Sequence, residues 1–364
     1  MTARILILGA DIAAGKCVAL ALTADPLVEC VIGVGRSDKN RVFAEQIGAH
    51  VVKIDSENAM SVRKALDGVF AVVQAGGSFP LGDYRYRVAE QCVKCAVHYV
   101  DMASARDHVT GIKALNAKAE ASSSLIVAGA TAVPAISSAL VDSLTQEFDR
   151  MGEIHVAVCS ADADTSWLAM GRALLPSVGR AIRVRERGRW RDTHAWSEPE
   201  KVEFPAPAGL QRVYLCDFPD LDLFPILYGA LTVSARGGVQ KPLLNNTLAA
   251  LGRLKRGKSA KASSTKRTSR GRVSSGFQKL VDTITGVHVH VLGQQKGAVV
   301  RRSACLIARS NSGTAMSCSP AIGLIKKWTH EGVSSAGAMP CLGLLTLDAI
   351  RSELAGHDII LVRS

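Results

Sequence analysis

The residues whose types and spacing are best suited to chemistry lie in a turn near the start of the chain. Residues 9–15 read GADIAAG and follow a short apolar run. Such a turn between a strand and a helix binds a dinucleotide pyrophosphate when glycines permit a tight turn, close phosphate approach and helix–strand packing. The candidate cofactor-binding residues of this turn are Gly9, Ala10, Asp11, Ile12 and Gly15.

The turn departs from the usual glycine pattern in either register. One register keeps Gly9 and a small Ala14 but has Asp11 where a glycine is expected, and the other keeps only Gly15. A carboxylate beside a pyrophosphate adds like-charge repulsion unless it points away. Asp11 therefore either weakens phosphate binding, or points into solvent or caps the next helix. The turn alone leaves open a Rossmann-like fold that no longer binds a nucleotide.

The end of the second predicted strand indicates which cofactor is preferred. An NAD-preferring site has an acidic residue here for the ribose hydroxyls, whereas this chain has Gly35-Arg36-Ser37, and an arginine suits a 2′-phosphate. The sequence therefore predicts NADP(H), with NAD(H) less favoured, and Arg36 and Ser37 as binding residues. Lys39 and Arg41 are interpreted as the solvated start of a helix.

Two further strand ends carry candidate residues. Ala75, Gly76 and Gly77 follow the fourth predicted strand, where backbone without side chains can lie against a ligand, although a structural turn accounts for the glycines equally well. Tyr99 and Asp101 end the fifth strand and are the candidate catalytic residues, since they can hydrogen-bond a substrate amine or orient a proton donor. A buried strand followed by a capping Asp is an equal alternative.

Other reactive residue types are interpreted as structural. We interpret Asp217, Asp220 and Asp222, in an Asp/Pro-rich loop, as solvated turn residues. We interpret His288 and His290 as part of an exposed strand face, and Cys92 and Cys95 as buried helix packing. We therefore predict no metal site.

The elements that must position these residues alternate strand and helix over the first 130 residues. Apolar runs such as Arg4 to Leu8 and Val69 to Gln74 alternate with helical segments such as Ala13 to Thr23. This pattern predicts right-handed crossovers and a parallel, doubly wound sheet buried on both faces. The fold class is therefore α/β, beginning with a Rossmann-like domain.

The rhythm changes after Pro134, where strand-like runs separated by short glycine-rich turns predict a second α+β domain with a mostly antiparallel sheet. The predicted domains are residues 1–133, for which 337–364 is a candidate completion, and residues 134–336. The second domain is predicted to contain a disordered basic insertion at 255–276, because that segment has few apolar residues.

Charge is concentrated in this insertion. The chain has 44 Lys and Arg against 32 Asp and Glu, a net charge of +12, and nine of the cations lie between Arg253 and Arg272 with no acid among them. The remaining +3 excludes a protein that coats nucleic acid over its whole surface. Residues 255–272 could contact an anionic membrane or nucleic acid, but they lack aromatics for stacking bases, and a solvated loop is the default interpretation.

Nine cysteines with no repeated spacing indicate reduced thiols, and Met1 to Leu8 lacks the features of a signal peptide. The longest apolar runs also fall short of the ~20 residues of a membrane span. We therefore expect a cytoplasmic protein.

Seven short segments, taken in order, carry a family resemblance. They are ILILG at 5–9, VGR at 34–36, AGGSF at 75–79, VHYVD at 97–101, GATAVP at 129–134, CDFPD at 216–220 and GAMPC at 337–341. Together they resemble the saccharopine dehydrogenase-like (saccharopine reductase-like) oxidoreductases over nearly the whole chain apart from the basic insertion. The resemblance implies NAD(P) binding in the N-terminal domain and places Tyr99 and Asp101 near the nicotinamide. It does not supply a substrate, because the family is functionally diverse.

The leading hypothesis is an NADP(H)-dependent oxidoreductase acting on a small molecule, of amino-acid type, bound between the two domains, and a homodimer is possible. The cofactor would carry the hydride and the protein would position it. The first alternative is a non-catalytic protein that keeps the fold for binding or assembly. The second is a protein that binds a membrane or a polyanion through its basic segment.

Overall fold

The computed structural model describes residues 2–35, 39–76, 85–160, 175, 177–240, 242–259 and 284–364. The elements in chain order are β1 (Ala3–Leu8), α1 (Ala13–Thr23), β2 (Val28–Val34), α2 (Lys39–Gln46), β3 (His50–Lys53), α3 (Ala59–Ala65), β4 (Ala71–Gln74), α4 (Arg87–Lys94), β5 (His98–Asp101), α5 (Arg106–Gly111), a 3₁₀ turn (Ile112–Leu115), α6 (Asn116–Ala121), β6 (Leu125–Ala128), α7 (Ser137–Thr145), β7 (Arg150–Ser160), β8 (Ala181–Glu186), β9 (Arg189–His194), β10 (Glu200–Phe204), β11 (Gly209–Leu215), α8 (Asp220–Tyr228), β12 (Thr232–Val239), α9 (Pro242–Ser259), β13 (Ile284–Gln295), β14 (Ala298–Ala308), α10 (Gly313–Glu331), β15 (Gly337–Pro340), α11 (Leu347–Ser352) and β16 (Ile359–Arg363).

The first sheet is parallel throughout and has the strand order β15-β6-β5-β4-β1-β2-β3. Because successive strands add on opposite sides of β1, the order reverses between β1 and β4. The carboxyl ends of strands beside such a switch point form the crevice where doubly wound sheets bind ligands. This sheet confirms the predicted Rossmann-like α/β fold.

Alternate side chains of the first sheet bury on opposite faces. Ile5 and Ile7 of β1 belong to a core that also contains residues of α1 and α10, whereas Leu6 and Leu8 belong to a second core with residues of α3 and α4. All four side chains are at most 7% exposed. The nearly continuous apolar sequence of β1 is therefore explained by burial on both faces.

The second sheet has the strand order β10-β11-β12-β7-β13-β14-β16, and β12 also pairs with the hairpin of β8 and β9. Its strand pairs are antiparallel except that of β7 with β12. The sheet confirms the predicted second domain with a mostly antiparallel sheet. Within the described parts of the chain, no helix is long and apolar enough to cross a bilayer.

The chain divides into two compact units, residues 1–135 with 317–355 and residues 136–316 with 356–364. The C-terminal part of this division differs from the predicted boundaries. Residues 317–331 of α10 fall in the first unit, where side chains such as Ile325 and Trp328 join the first core. The last strand, β16, pairs with β14 of the second sheet and so does not complete the first domain.

Two other expectations need correction, and one hairpin was not predicted. Helix α9 continues to Ser259, so the first residues of the predicted disordered insertion are helical. The rest of that insertion, 260–276, lies outside the described residues. Asp220 does not lie in a solvated loop but begins α8 and is fully buried. The hairpin of β10 and β11 was not predicted, because charged and polar residues interrupt its short apolar runs.

Candidate functional site

The turn after β1 requires glycine at its first position. Gly9 has φ +92°, in the region that L side chains rarely adopt, and a Cβ on it would lie 2.5 Å from the backbone nitrogen of Gly76. Both the backbone conformation and the close approach of Gly76 therefore exclude a side chain. Gly9 thus provides the tight turn expected of the first glycine in a dinucleotide-binding loop.

Gly15 provides the close packing of helix on strand. A Cβ at this position would lie 2.1 Å from the carbonyl oxygen of Gly9, so α1 can begin this close to β1 only because Gly15 has no side chain. Ala10 and Ala14 are fully buried in the same contact. The turn thus has a first glycine, Gly9, as in one predicted register, and a last glycine, Gly15, as in the other. Of the three glycines in the usual pattern, the middle one is missing.

Asp11 and Ile12 occupy the position of that missing glycine. Ile12 is the N-cap of α1, with the ordinary extended angles φ −112° and ψ 163°, so its backbone does not require glycine. Its side chain supplies no acceptor, and Asp11, which is exposed, makes no side-chain hydrogen bond within the described chain. The capping interpretation of Asp11 is therefore wrong. The N-terminus of α1 keeps N–H groups without a side-chain cap, a favourable place for an anion.

The end of β4 lies directly against this turn. The Ala75 N–H donates to the carbonyl oxygen of Leu8 at 3.0 Å, which continues the sheet one residue beyond the strands. A Cβ on Gly76 would lie 2.6 Å from Cδ1 of Ile12, so the Ile12 side chain covers Gly76. The structure therefore brings Gly9, Ile12, Gly15 and Gly76 together at the switch point of the first sheet.

Three of the predicted cofactor residues, Arg36, Ser37 and Gly77, lie outside the described residues. Gly35, which precedes the first two, is exposed, and a Cβ on it would meet nothing within 4 Å. The neighbouring helix α2 is anchored to the end of β2, because Nδ2 of the buried Asn40 donates to the carbonyl oxygen of Gly33 at 3.3 Å.

Asp101 is fully buried at the end of β5 and is surrounded by donors. Its Oδ1 accepts the N–H groups of Ala103 and Gly129, each at 3.0 Å. Its Oδ2 lies 2.8 Å from Nε2 of His108 and 3.2 Å from the hydroxyl of Tyr99. A carboxylate offers about four acceptor positions, and four donors reach this one. Asp101 therefore joins the ends of β5 and β6 to α5.

Tyr99 is held in the same network. Its side chain is 2% exposed, and its single hydroxyl proton is shared between Oε1 of Gln74 at 2.8 Å and Oδ2 of Asp101 at 3.2 Å. Burial, and then the nearby Asp101, raise the pKa of this hydroxyl well above its usual value. The contacts that the structure shows for Tyr99 and Asp101 join the ends of neighbouring strands and α5. The catalytic role of the two residues stays a prediction.

Sequence reasoning missed the other members of this network. Gln74 ends β4, and His108 lies one turn into α5, seven residues after Asp101. Tyr86 adds to it, because its hydroxyl donates to the backbone carbonyl of His108 at 2.6 Å, and burial raises the pKa of that hydroxyl to about 12. The available signal was the position of Gln74 and Asp101 at adjacent strand ends, but nothing in the sequence pointed to His108.

The remaining candidates are structural. His288 and His290 are half-buried rather than exposed, and burial lowers the pKa of His288 to about 4. Cys92 is buried as predicted, whereas Cys95 is exposed at the end of α4. Among the described residues, no group of three His, Cys, Asp or Glu side chains is arranged to hold a metal ion.

Comparison with known proteins identifies the fold. A scan against protein-family models and a search of curated protein sequences found no match. Among solved structures, the chain is similar over its whole length to the apo, histidine-tagged saccharopine dehydrogenase (L-Glu forming) from Saccharomyces cerevisiae. The TM-score is 0.69, with 13% identity and 100% of each chain covered. The chain therefore has a saccharopine dehydrogenase-like fold, which confirms the resemblance seen in the sequence.

Two further similarities are weaker. A probable dehydrogenase from Thermotoga maritima has a TM-score of 0.48 and 8% identity, covering 96% of this chain and 93% of its own. Biliverdin reductase from Synechocystis sp. PCC 6803, in complex with biliverdin and NADP+, has a TM-score of 0.40 and 11% identity, covering 96% and 95%. Both scores are below 0.5, so the fold assignment depends on the yeast structure.

Proposed function

We propose that the chain is an NAD(P)-dependent oxidoreductase that prefers NADP(H) and acts on a small substrate of amino-acid type. The observation that carries the proposal is the turn at the switch point, where Gly9 and Gly15 meet the conformational demands of a dinucleotide-binding loop. The uncapped N-terminus of α1 opens at the same point. The saccharopine dehydrogenase-like fold supports the oxidoreductase class, and the name of the yeast enzyme is the support for an amino-acid substrate.

The residues that fit a dinucleotide are the backbone of the Gly9 turn and the first turn of α1, which would bind the pyrophosphate. Arg36, with Ser37, is proposed to bind a 2′-phosphate. The bound nicotinamide would supply hydride transfer, and the chain would orient it and exclude water. The Asp101 network would fix the ends of β4, β5 and β6 that form the edge of the crevice. The position of the substrate between the domains and a homodimer both stay predictions.

Calorimetric titration of the full chain with NADPH, and separately with NADH, tests the proposal. We expect saturable binding of one dinucleotide per chain, with NADPH bound tenfold or more tightly, because an Arg–phosphate pair is worth about 1.5–3 kcal/mol. Arg36→Gln should remove the preference, whereas Arg363→Gln, at the exposed end of β16, should not. Equal affinities for both cofactors in the parent chain would refute the NADP(H) preference.

A second candidate function is favoured by one observation. The Ile12 side chain covers Gly76 at the point where a pyrophosphate would approach, and the exposed Asp11 carboxylate adjoins it. A protein that keeps the fold for binding or assembly, without a nucleotide, would have these features. Absence of NADPH binding in the parent chain and in variants with both obstacles removed would favour this second candidate.

A further inference from the structure

A small cavity lies within the second unit, beside the loop that joins β9 to β10. Its volume is about 160 Å³, which is roughly the volume of five water molecules. The residues that line it are Thr193, Trp196, Ser197, Glu198, Pro199, Tyr214, Ala249 and Arg253. None of them belongs to the Gly9 turn or the Asp101 network.

The loop that forms one wall is held in an unusual conformation. Trp196 has φ +61° and Glu198 has φ +49°, values that residues with side chains rarely adopt. The conformation is fixed by neighbours, because the Trp196 N–H donates to Leu215 O at 2.8 Å and the Leu215 N–H donates to Ser197 O at 3.1 Å. Nη1 of Arg236 also donates to Glu198 O at 2.7 Å. Residues held in this way are a recurrent feature of ligand-binding sites.

Helix α9 forms the opposite wall. Asn245, Ala249 and Arg253 are spaced by four residues and so share one face of the helix. Asn245 is 2% exposed and fixes that face, since its Nδ2 donates to Val239 O at 2.8 Å and to Arg212 O at 3.3 Å. The small Ala249 leaves the cavity open, and Arg253 follows one turn later.

The floor of the cavity is aromatic. Trp196 and Tyr214 stack with their ring centroids 5.5 Å apart and an interplanar angle of 29°. The hydroxyl of Tyr214 lies 3.4 Å from Oδ1 of Asn246, so it has an acceptor of its own. Trp196 and Tyr214 are only 2% and 3% exposed, so the stacked rings close the base of the cavity, and Pro199 and Ala249 offer its more accessible apolar surface.

The charges around the cavity favour an anion. Glu198 accepts two parallel bonds from Arg191, at 2.8 and 2.9 Å, and one from Thr193 at 2.7 Å, so its acceptor positions are largely occupied, while Arg191 also pairs with Glu186 at 2.6 Å. The same contacts hold the pKa of Glu198 below its usual value, with the Arg191 hydrogen bonds as the largest cause. Arg253 is exposed and has no hydrogen bond or ion pair with any described residue.

From this arrangement we infer that the cavity binds a small molecule with one carboxylate or phosphate group. The anionic group pairs with Arg253, and the rest of the molecule lies between Ala249, Pro199 and the Trp196 ring. Small cations and ammonium groups are disfavoured, because hydrogen bonds from Arg191 and Thr193 already occupy the oxygens of the one carboxylate on the wall. The site is separate from the proposed dinucleotide turn, so either one can fail without the other.

The test follows the indole N–H signal of Trp196 in NMR spectra of the full chain, with the signal assigned by its loss in Trp196→Phe. The chain is titrated with inorganic phosphate, with propionate and with propylammonium, each balanced against sodium chloride at equal ionic strength. We expect saturable shifts with phosphate, with propionate or with both, and none with propylammonium. The phosphate and propionate titrations together show whether the site binds a phosphate or a carboxylate group.

Two variants and one control make the test specific. Arg253→Gln should weaken anion binding about tenfold or more, as expected for loss of a charge-assisted pair. Ala249→Leu keeps every charge and a good helix former, and it should abolish binding by filling the cavity. Arg363→Gln, at the opposite edge of the same sheet, should bind like the parent chain. Linear shifts without saturation would overturn the inference, and so would equal binding by Arg253→Gln, Ala249→Leu and the control. Signals elsewhere in the spectrum that match those of the parent chain show that each variant is folded.

Discussion

At the scale of single residues, the Asp101 carboxylate determines how the edge of the first sheet is held together. The carboxylate of Asp101 is within hydrogen-bond distance of four donors. In Asp101→Asn, the amide nitrogen would replace the oxygen that faces the Tyr99 hydroxyl and His108 Nε2, so donors would face donors. We expect the free energy of unfolding of the first unit to fall by about 3 kcal/mol, because buried donors lose their acceptor. Denaturant unfolding measures this change.

The control is Asp67→Asn, an exposed carboxylate in the turn before β4 that should cost little. If Asp101→Asn instead unfolds like the parent chain and loses only turnover, Asp101 is a catalytic residue and our positioning role is wrong.

Asp11 is the residue that most directly opposes a bound phosphate. It is exposed and caps no helix, so Asp11→Asn should tighten NADPH by roughly 1 kcal/mol, or about fivefold, after solvent screening. Its melting temperature should stay close to that of the parent chain. Calorimetry and a melting curve on one preparation measure both quantities.

Asp67→Asn is the matched control. Asp67 is also exposed, but it precedes β4 and so lies near the amino ends of the strands, away from the Gly9 turn at their carboxyl ends. An Asp11→Asn variant with lower stability and unchanged affinity would mean that Asp11 supports the helix and not that it repels phosphate.

Asp220 makes stability depend on pH. Burial raises its pKa to about 6, its Oδ1 accepts from Ser137 Oγ at 2.5 Å, and its Oδ2 has no hydrogen-bond partner among the described residues. Since the folded pKa is above the unfolded value, the folded chain favours the protonated form. This stabilisation is present below about pH 4 and is lost as pH rises through 6. Asp220→Asn should therefore gain stability relative to the parent chain between pH 4 and pH 8, by up to about 3 kcal/mol.

Unfolding curves at both pH values test this, with the exposed Asp192→Asn as control. A constant difference between Asp220→Asn and the parent chain over that range would show that Asp220 does not titrate as described.

Residue types alone predicted which positions meet at the switch point but not which of them are buried. Gly9, Gly15 and Gly76 were identifiable because tight turns and close backbone contacts at strand ends favour glycine. Asp220 was misjudged as solvated, because the residues that surround it, such as Ser137, are distant in sequence. A polar residue in a short motif therefore gives no measure of its own exposure.

At the scale of elements, the contact between the α1 turn and the end of β4 controls access to the crevice. Gly76→Ala would place a methyl group 2.6 Å from Cδ1 of Ile12, so the Ile12 side chain must move toward the space that a pyrophosphate needs. We expect weaker NADPH binding by threefold or more, on the order of 1 kcal/mol. Calorimetry measures it.

Ile12→Ala is the partner variant, because the extended backbone of Ile12 accepts alanine without strain. It should tighten NADPH alone and restore affinity to Gly76→Ala when the two are combined. Additive effects in the double variant would mean that the two residues do not act through this contact.

The predictability of the elements depends on whether their apolar residues form a continuous local pattern. The strands β1, β2 and β4 were predictable because their apolar β-branched runs are buried on both faces of a parallel sheet. Helix α10 was missed, because it contains Gly313, Pro320 and several serines and its burial comes from the core of the first unit. Residues 356–364 were considered as part of a possible completion of the first domain, whereas β16 pairs with β14 of the second sheet, because local sequence does not indicate which sheet a strand joins.

At the scale of the whole molecule, charge and fold give different information. The net charge of +12 is concentrated in one segment, and the remainder of the chain is nearly balanced. The composition therefore says little about the activity, whereas a parallel sheet with a switch point at the Gly9 turn specifies where a dinucleotide would bind.

The most direct test of the account is calorimetric titration of NADPH into the parent chain and into the combined Asp11→Asn, Ile12→Ala variant, at about 150 mM salt so that surface charges are screened. We predict saturable binding of one NADPH per chain, tighter in the variant than in the parent, with NADH weaker than NADPH in both. The contrary result is no saturable heat with either dinucleotide in either protein, and it would show that this fold is not used to bind a nicotinamide cofactor.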